Sequence, residues 1–278
     1  MRLDAHQHFW NLAQFPHPWI TPELPALRRD FGPADLKPHL ERHSLDGSIL
    51  VQTFSSLEES RFFLSLATQH PWIRGVVAWV DLTDPDVGET VEALQEHPKF
   101  VGIRHVVHDE PDPLWLNRHE VMAGLATLEL HRVPYDLLLR PQHLPAAIEV
   151  ARHYPGLPLV VDHIAKPRIA QEGWGEWAEG IRSLARFPNV WCKLSGMITE
   201  AARGGWKPED LKPYVRHVLE VFGPERLMYG SDWPVCLLAG SYDQVVEALE
   251  ANLKDLSTQD RERIWGESAA AFYGIRPH

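Results

Sequence analysis

The chain has 278 residues, 44% apolar and 23% charged, the balance of a globular protein with a sizeable core, which excludes a disordered chain. Its 38 acidic against 27 basic side chains give a formal net charge of −11, which argues against nucleic acid or an anionic membrane as the main partner. No apolar run reaches transmembrane length, and two cysteines, Cys192 and Cys236, are too few for a disulfide framework. The opening Met1-Arg2-Leu3-Asp4 runs straight into an apolar strand without a secretory signal, so a cytoplasmic protein is expected.

In chain order, short apolar runs expected as strands fall at 3–8, 47–52, 73–80, 100–104, 134–139, 158–163, 190–194 and 227–231. Most are apolar on both faces, as in a buried parallel sheet. Helical spacing recurs between them, at 85–96, 117–131, 145–153, 176–187, 208–222 and 241–253. A terminal helix is expected at 258–273, with Ser257 as its cap. Eight β/α units predict an α/β fold, a single (β/α)8 TIM barrel over residues 1–278. An open doubly wound sheet fits less well, because His-x-His stands where a Gly-rich phosphate loop would follow the first strand. The segment 11–38, with six prolines, is too irregular for a tight loop and is expected to fold over the barrel mouth.

In such a barrel the chemistry sits at the C-terminal ends of the strands. There the sequence places His6 and His8, Gln52, Trp79 with Asp81 beyond it, Arg104-His105, Arg140, Asp162-His163, Ser195 and Asp232. Polar, chemically capable residues at nearly every strand end are the main sign of an active site. Two imidazoles two residues apart share one side of a strand and suit either a divalent metal or a polarised carbonyl. Asp232, in a turn after the last strand, is read as a general base for water rather than an Asx-turn cap, because barrel closure brings it to the strand-one histidines. His163 is read as a third imidazole of that cluster rather than a core histidine, with Asp162 pointing away from the barrel centre. Arg104 either holds a substrate oxygen or pairs with an inward acid such as Asp81.

Of the 11 tryptophans, Trp10, Trp19, Trp79 and Trp233 fall near the mouth loops and could wall a sugar-like ligand, although core filling is their default role. His17, His70, His97, His119 and His217 lack partner spacing and are read as surface residues. Cys192 has no adjacent base and is no convincing nucleophile.

The motifs Asp4-Ala5-His6-Gln7-His8-Phe9-Trp10, Gly75-Val76-Val77-Ala78-Trp79-Val80-Asp81-Leu82, Gly102-Ile103-Arg104-His105, Asp136-Leu137-Leu138-Leu139, Asp162-His163-Ile164-Ala165-Lys166-Pro167, Cys192-Lys193-Leu194-Ser195-Gly196 and Gly230-Ser231-Asp232-Trp233-Pro234 run in order along nearly the whole chain. With them the chain resembles the amidohydrolase superfamily, in its amidohydrolase-related branch that includes sugar lactonases. The resemblance implies a hydrolase opening a sugar-derived lactone, such as L-fucono- or L-rhamnono-lactone, with catalytic Asp232, His6, His8 and His163. Arg104, Gln52, Trp79, Arg140 and Trp10 would bind the substrate. A metal-dependent decarboxylase or amidohydrolase on a small carboxylic acid is the alternative, and a non-catalytic sugar-acid binding barrel a more remote one. Metal-dependent members add a lysine or acid on strand four and a histidine on strand five, where this chain has Arg104 and Leu139-Arg140. A metal-free mechanism is therefore expected, with a single Zn²⁺ on His6, His8, His163 and Asp232 the other possibility. A monomer or homodimer is expected.

Overall fold

The computed structural model describes residues 1–171, 173–202 and 204–276. Strands β1 (Leu3–Gln7), β2 (Gly47–Val51), β3 (Ile73–Ala78), β4 (Phe100–His105), β5 (Tyr135–Leu137), β6 (Leu159–Val161), β7 (Val190–Leu194) and β8 (Leu227–Tyr229) pair in parallel in chain order. The ring is completed just beyond β8. Gln7 bridges Trp233, the His8 amide donates to the Trp233 carbonyl at 2.7 Å, and the Asp232 amide donates to the His6 carbonyl at 2.8 Å. The fold is the expected α/β TIM barrel. Strands β3, β5, β6 and β8 stop about two residues earlier than the apolar runs.

Two apolar clusters separate the faces of the strands. Leu3, Ala5, Ile49, Val51, Val77, Val160 and Met228 meet inside the barrel, closed below by Phe272 and Tyr273. Residues of opposite parity, such as Leu50, Val76, Ile103, Leu137 and Leu227, pack against the surrounding helices. Asp4 faces outward, where the Tyr242 hydroxyl donates to its carboxylate at 3.0 Å. Strict alternation would then send His6 outward as well. Instead the β1–β2 register shifts between Asp4 and Gln7, which turns His6 into the barrel.

The helices are α1 (Pro33–Arg42), α2 (Leu57–Gln69), α3 (Val87–Gln95), α4 (His119–His131), α5 (Leu144–His153), α6 (Gly175–Leu184), α7 (Met197–Glu200), α8 (Pro208–Phe222), α9 (Tyr242–Leu253), α10 (Thr258–Glu262) and α11 (Ser268–Phe272). Helix α1 lies inside the segment expected to be irregular. Pro33 is tolerated in its first turn, and the Asp35 carboxylate accepts from the Gly32 amide at 3.0 Å. The irregular excursion is therefore 11–32, pinched at its base by the reciprocal Trp10–Phe31 backbone pair at 3.1 and 3.0 Å. It does cross the barrel mouth, since Pro18, Trp19 and Leu24 line the cavity there. Among the described residues, no helix is long and apolar enough to cross a membrane.

The terminal helix is broken, not continuous. Ser257 caps it as expected, accepting from the Asp260 amide at 3.1 Å, but a π turn at Arg263–Glu267 interrupts it. The cause is close backbone contact: a Cβ on Gly266 would lie 2.4 Å from the Met1 carbonyl oxygen. Gly266→Ala should therefore lower unfolding stability by about 1–3 kcal/mol, the usual cost of overpacking. Urea denaturation with an unchanged m value would check this, and an unaltered midpoint would contradict it.

Candidate active site

The left-handed turn after β6 decides what the floor of the barrel presents. Val160 and Asp162 share the inward parity, so Asp162 points into the barrel, contrary to the expectation that it faces away. Its Oδ2 accepts from the Arg104 guanidinium at 3.1 Å, and its Oδ1 lies 3.0 Å from Lys193 Nζ. His163 would then face outward, but His163, Ile164, Ala165 and Lys166 all adopt positive φ, between 46° and 59°. For side chains with a Cβ this is a costly conformation. It swings the His163 ring back to the cavity, where Nδ1 meets Ser195 Oγ at 2.8 Å. Gly196 leaves room for that ring: a Cβ there would lie 2.6 Å from His163 Nδ1.

His6, His8, His163 and Asp232 converge as expected. His6 Nε2 and His8 Nε2 are 3.1 Å apart. Asp232 Oδ1 lies 3.9, 3.5 and 3.7 Å from Nε2 of His6, His8 and His163. Burial lowers the pKa of all three imidazoles, against the pull of nearby carboxylates, so they are neutral at pH 7. Burial also works to raise the Asp232 carboxyl, but His163, His8 and Lys166 hold it below its ordinary value, so it is ionised.

The protons can be placed further. His8 Nδ1 sits 2.8 Å from the Val51 carbonyl, which can only accept. Nδ1 therefore carries the hydrogen of the neutral ring, and His8 Nε2 offers a lone pair to the cavity. It cannot donate to an oxyanion, the role that a metal-free mechanism would give it.

The donor set does fit a divalent metal. Ligand atoms about 2.0–2.1 Å from a tetrahedral Zn²⁺ lie roughly 3.3 Å from one another, close to the separations in this cluster. His6, His8 and Asp232 form one buried group able to hold an ion, and His6, Asp162 and His163 another. The Val51 carbonyl and Ser195 Oγ hold the far nitrogens of His8 and His163, as partners that orient metal-bound imidazoles do.

Beneath this floor lies a layer that the sequence reading did not assign. Lys193, fully buried, reaches Asp136 at 2.5 Å, Asp162 at 3.0 Å and His6 Nδ1 at 3.1 Å. The Tyr273 hydroxyl donates to Asp136 from below at 2.8 Å. Burial raises the Asp136 carboxyl to about 6, with Lys193 opposing it. Burial would raise Asp162 too, but Lys193, His6 and Arg104 together hold it well below the carboxylate range. The available signal was parity: Asp136 and Lys193, like Arg104, are charged residues at inward-facing strand positions.

Arg104 reaches the floor, donating also to the Gln52 carbonyl and lying 3.3 Å from His6 Nε2. Its acid is Asp162, not Asp81, whose carboxylate accepts from Thr83 at the surface. A cavity of about 550 Å³ opens above, lined by His8, Arg104, Arg140, His163 and Asp232 and roofed by Trp19. Gln52, Trp79 and Trp10 stand behind its wall. Gln52 donates to the Arg104 carbonyl, the Trp79 indole to His105 Nδ1, and the Trp10 indole to the Arg29 carbonyl. Of the four mouth tryptophans only Trp19 lines the cavity, and Trp233 is buried against Phe9 and Phe31.

His17 and His217 are buried, not superficial. His17 Nε2 meets Thr53 Oγ1 at 2.9 Å, and Thr53 donates to the buried Glu59 at 2.5 Å, which ties the roof segment to the loop after β2. His217 Nε2 donates to the Ala178 carbonyl at 2.9 Å. Cys192 and Cys236 are buried, with thiols pushed up by desolvation, which suits inert packing.

The amidohydrolase family model matches residues 3–275. The chain belongs to that family. It is 39% identical over 280 residues to L-fucono-1,5-lactonase of Burkholderia ambifaria, covering 99% of this chain and 96% of that one. A second L-fucono-1,5-lactonase, from Burkholderia multivorans, is 37% identical over 290 residues, again with 99% and 96% covered. A crystal structure of an amidohydrolase from Burkholderia multivorans with bound Zn superposes with a TM-score of 0.94 at 37% identity, covering 99% of this chain and all of that one. Matches along the full length fit a site whose parts come from strands all around the barrel.

The buried charge layer gives this family member a measurable weak point. Lys193→Met strands Asp136 without its cation and leaves Asp162 only Arg104, and should cost about 3–5 kcal/mol of stability. Tyr273→Phe, which removes one hydrogen bond to Asp136, should cost about 1–2 kcal/mol. Chemical denaturation of both variants checks the order. Equal effects would show that Lys193 carries no special share.

Proposed function

We propose that the chain hydrolyses a sugar-derived lactone to the free sugar acid, with L-fucono-1,5-lactone as the first substrate to try. The observation that carries the reading is the Asp232 carboxylate on the floor of the cavity, with Oδ1 3.5–3.9 Å from Nε2 of His6, His8 and His163. The substrate class comes from the two L-fucono-1,5-lactonases that the chain resembles from end to end.

Asp232 takes a proton from water as the water oxygen attacks the lactone carbonyl carbon. The same carboxyl returns the proton to the ring oxygen as the acyl C–O bond breaks, so the acid and its hydroxyl leave as one open chain. A divalent ion held by His6, His8, His163 and Asp232 would polarise the carbonyl and make the water more acidic. Ser195 and the Val51 carbonyl keep the His163 and His8 rings aimed at the reacting centre. Arg104 on the floor and Arg140 on the wall present donors to substrate oxygens, while Trp19 covers the ring and limits access of bulk water. Gln52, Trp79 and Trp10 act by holding these residues in place.

Release of acid from L-fucono-1,5-lactone, followed with a pH indicator, tests the reading. Asp232→Asn should lower kcat by about 10²- to 10⁴-fold, the usual share of a general base. Wild-type turnover by that variant would refute the assignment. Dialysis against a strong chelator should abolish activity and Zn²⁺ should restore it, with metal content measured alongside. Full activity in the stripped protein would return the mechanism to hydrogen bonds alone.

A further inference from the structure

Two charged groups on the cavity wall, one cation and one carboxylate, are largely buried yet make no hydrogen bond among the described residues, whereas Arg140, the other wall cation without one, is exposed. Arg104 is committed to Asp162 and the Gln52 carbonyl. Glu110 is held by His105 at 2.7 Å, and Asp109 lies 3.3 Å from His108. Lys166 and Glu200 stand 3.9 Å apart, beyond hydrogen-bond reach, with Lys166 also in the field of Asp232. Neither the Lys166 ammonium nor the Glu200 carboxylate makes a hydrogen bond among the described residues. Both line the cavity, and their side chains are only 16% and 21% exposed.

Their placement is not incidental to the backbone. Lys166 ends the left-handed run that begins at His163, with φ of 47°, and its amide donates to the His163 carbonyl at 2.8 Å. The strained turn that delivers the His163 imidazole therefore delivers the ammonium on the same rigid piece of chain. Glu200 ends α7, which starts directly after Gly196, the residue packed against the His163 ring. The pair is thus fixed relative to the reacting centre from two sides.

An ammonium offers only donors and a carboxylate only acceptors. Separated by a gap too long for a mutual hydrogen bond, they match two neighbouring hydroxyls, one accepting from the lysine and the other donating to the glutamate. An anionic ring substituent would meet repulsion from Glu200, and an unsubstituted ring would leave both charges half-buried and unpaired. We propose that Lys166 and Glu200 form a diol-reading subsite that selects a neutral, polyhydroxylated lactone ring beside Asp232. This rests on the lactonase reading and deepens it.

The test compares L-fucono-1,5-lactone with δ-valerolactone, which carries the same ester ring without hydroxyls. Wild type, Lys166→Gln, Glu200→Gln and the double variant are assayed on both, with thermal unfolding measured to confirm that each is folded. Each single variant should lose at least about tenfold more kcat/KM on the hydroxylated lactone than on δ-valerolactone, mainly through KM. The double variant should lose little more than the worse single one, because both residues read one diol. Equal losses on the two lactones, or independent additive losses, overturn the subsite while leaving the lactonase reading in place. A wild-type protein that opens neither lactone overturns both.

Discussion

Closure of the barrel between its first and last strands is the constraint on which the rest depends. Two backbone hydrogen bonds make that seam, His8 amide to Trp233 carbonyl and Asp232 amide to His6 carbonyl. Three of the four residues that make them, His6, His8 and Asp232, converge on the cavity floor, so joining the ends of the sheet also assembles the cluster. Asp4 locks the seam from outside, accepting from the Ser231 amide at 2.9 Å, the His6 amide at 3.1 Å and the Tyr242 hydroxyl. Gly230 permits the approach, because a Cβ there would meet the His6 Cβ at 2.7 Å. Histidine and aspartate more than 220 residues apart in the chain thereby gain positions as firm as neighbours in one strand.

Below the seam, electrostatics divides the interior into two levels. The upper level holds neutral imidazoles and one ionised carboxylate, a donor set for a cation. The lower level holds Lys193 between Asp136 and Asp162, with Arg104 closing on Asp162 from the side. Lys193 and Arg104 bring two positive charges close to His6, and Asp162 offsets them on the same ring at 3.3 Å from Nδ1. A buried cluster of this kind contributes little net stability, because desolvation offsets attraction. Its effect is geometric: the His6 ring has a partner on every side and one orientation.

The fold was legible because its signals are local and repeated. Apolar runs recur eight times with helical spacing between most of them, and no single misreading disturbs the pattern. The convergence of His6, His8, His163 and Asp232 was legible too, since barrel topology alone brings strand ends together. What stayed hidden depends on departures from regular geometry. Parity applied to β6 would have turned Asp162 inward, yet the same rule sends His163 outward, and only four left-handed residues reverse that. The shift in β1 is equally silent in the sequence Leu3-Asp4-Ala5-His6. Lys193 and Asp136 went unassigned because an apolar strand with one charge reads as a strand, and the charge gains meaning only when its partners are known. His17 escaped for the same reason: its partners Thr53 and Glu59 lie some 40 residues on.

These departures share a cause. A regular strand delivers one side chain to the cavity every second residue, too sparse for a cluster whose ligand atoms stand 3–4 Å apart. Density at one point requires that the chain break its own period, by a register shift in β1, by left-handed backbone after β6 and by a positive φ of 56° at Asp232 after β8. Each break leaves conformational strain or an unfilled ladder position, and each is braced: the first by Asp4, the second by the Ser195–Gly196 turn, the third by the seam itself. The irregular positions of this barrel are therefore where its imidazoles and Asp232 gather, while its regular positions, Arg104, Asp136 and Lys193 apart, are mostly apolar and close-packed.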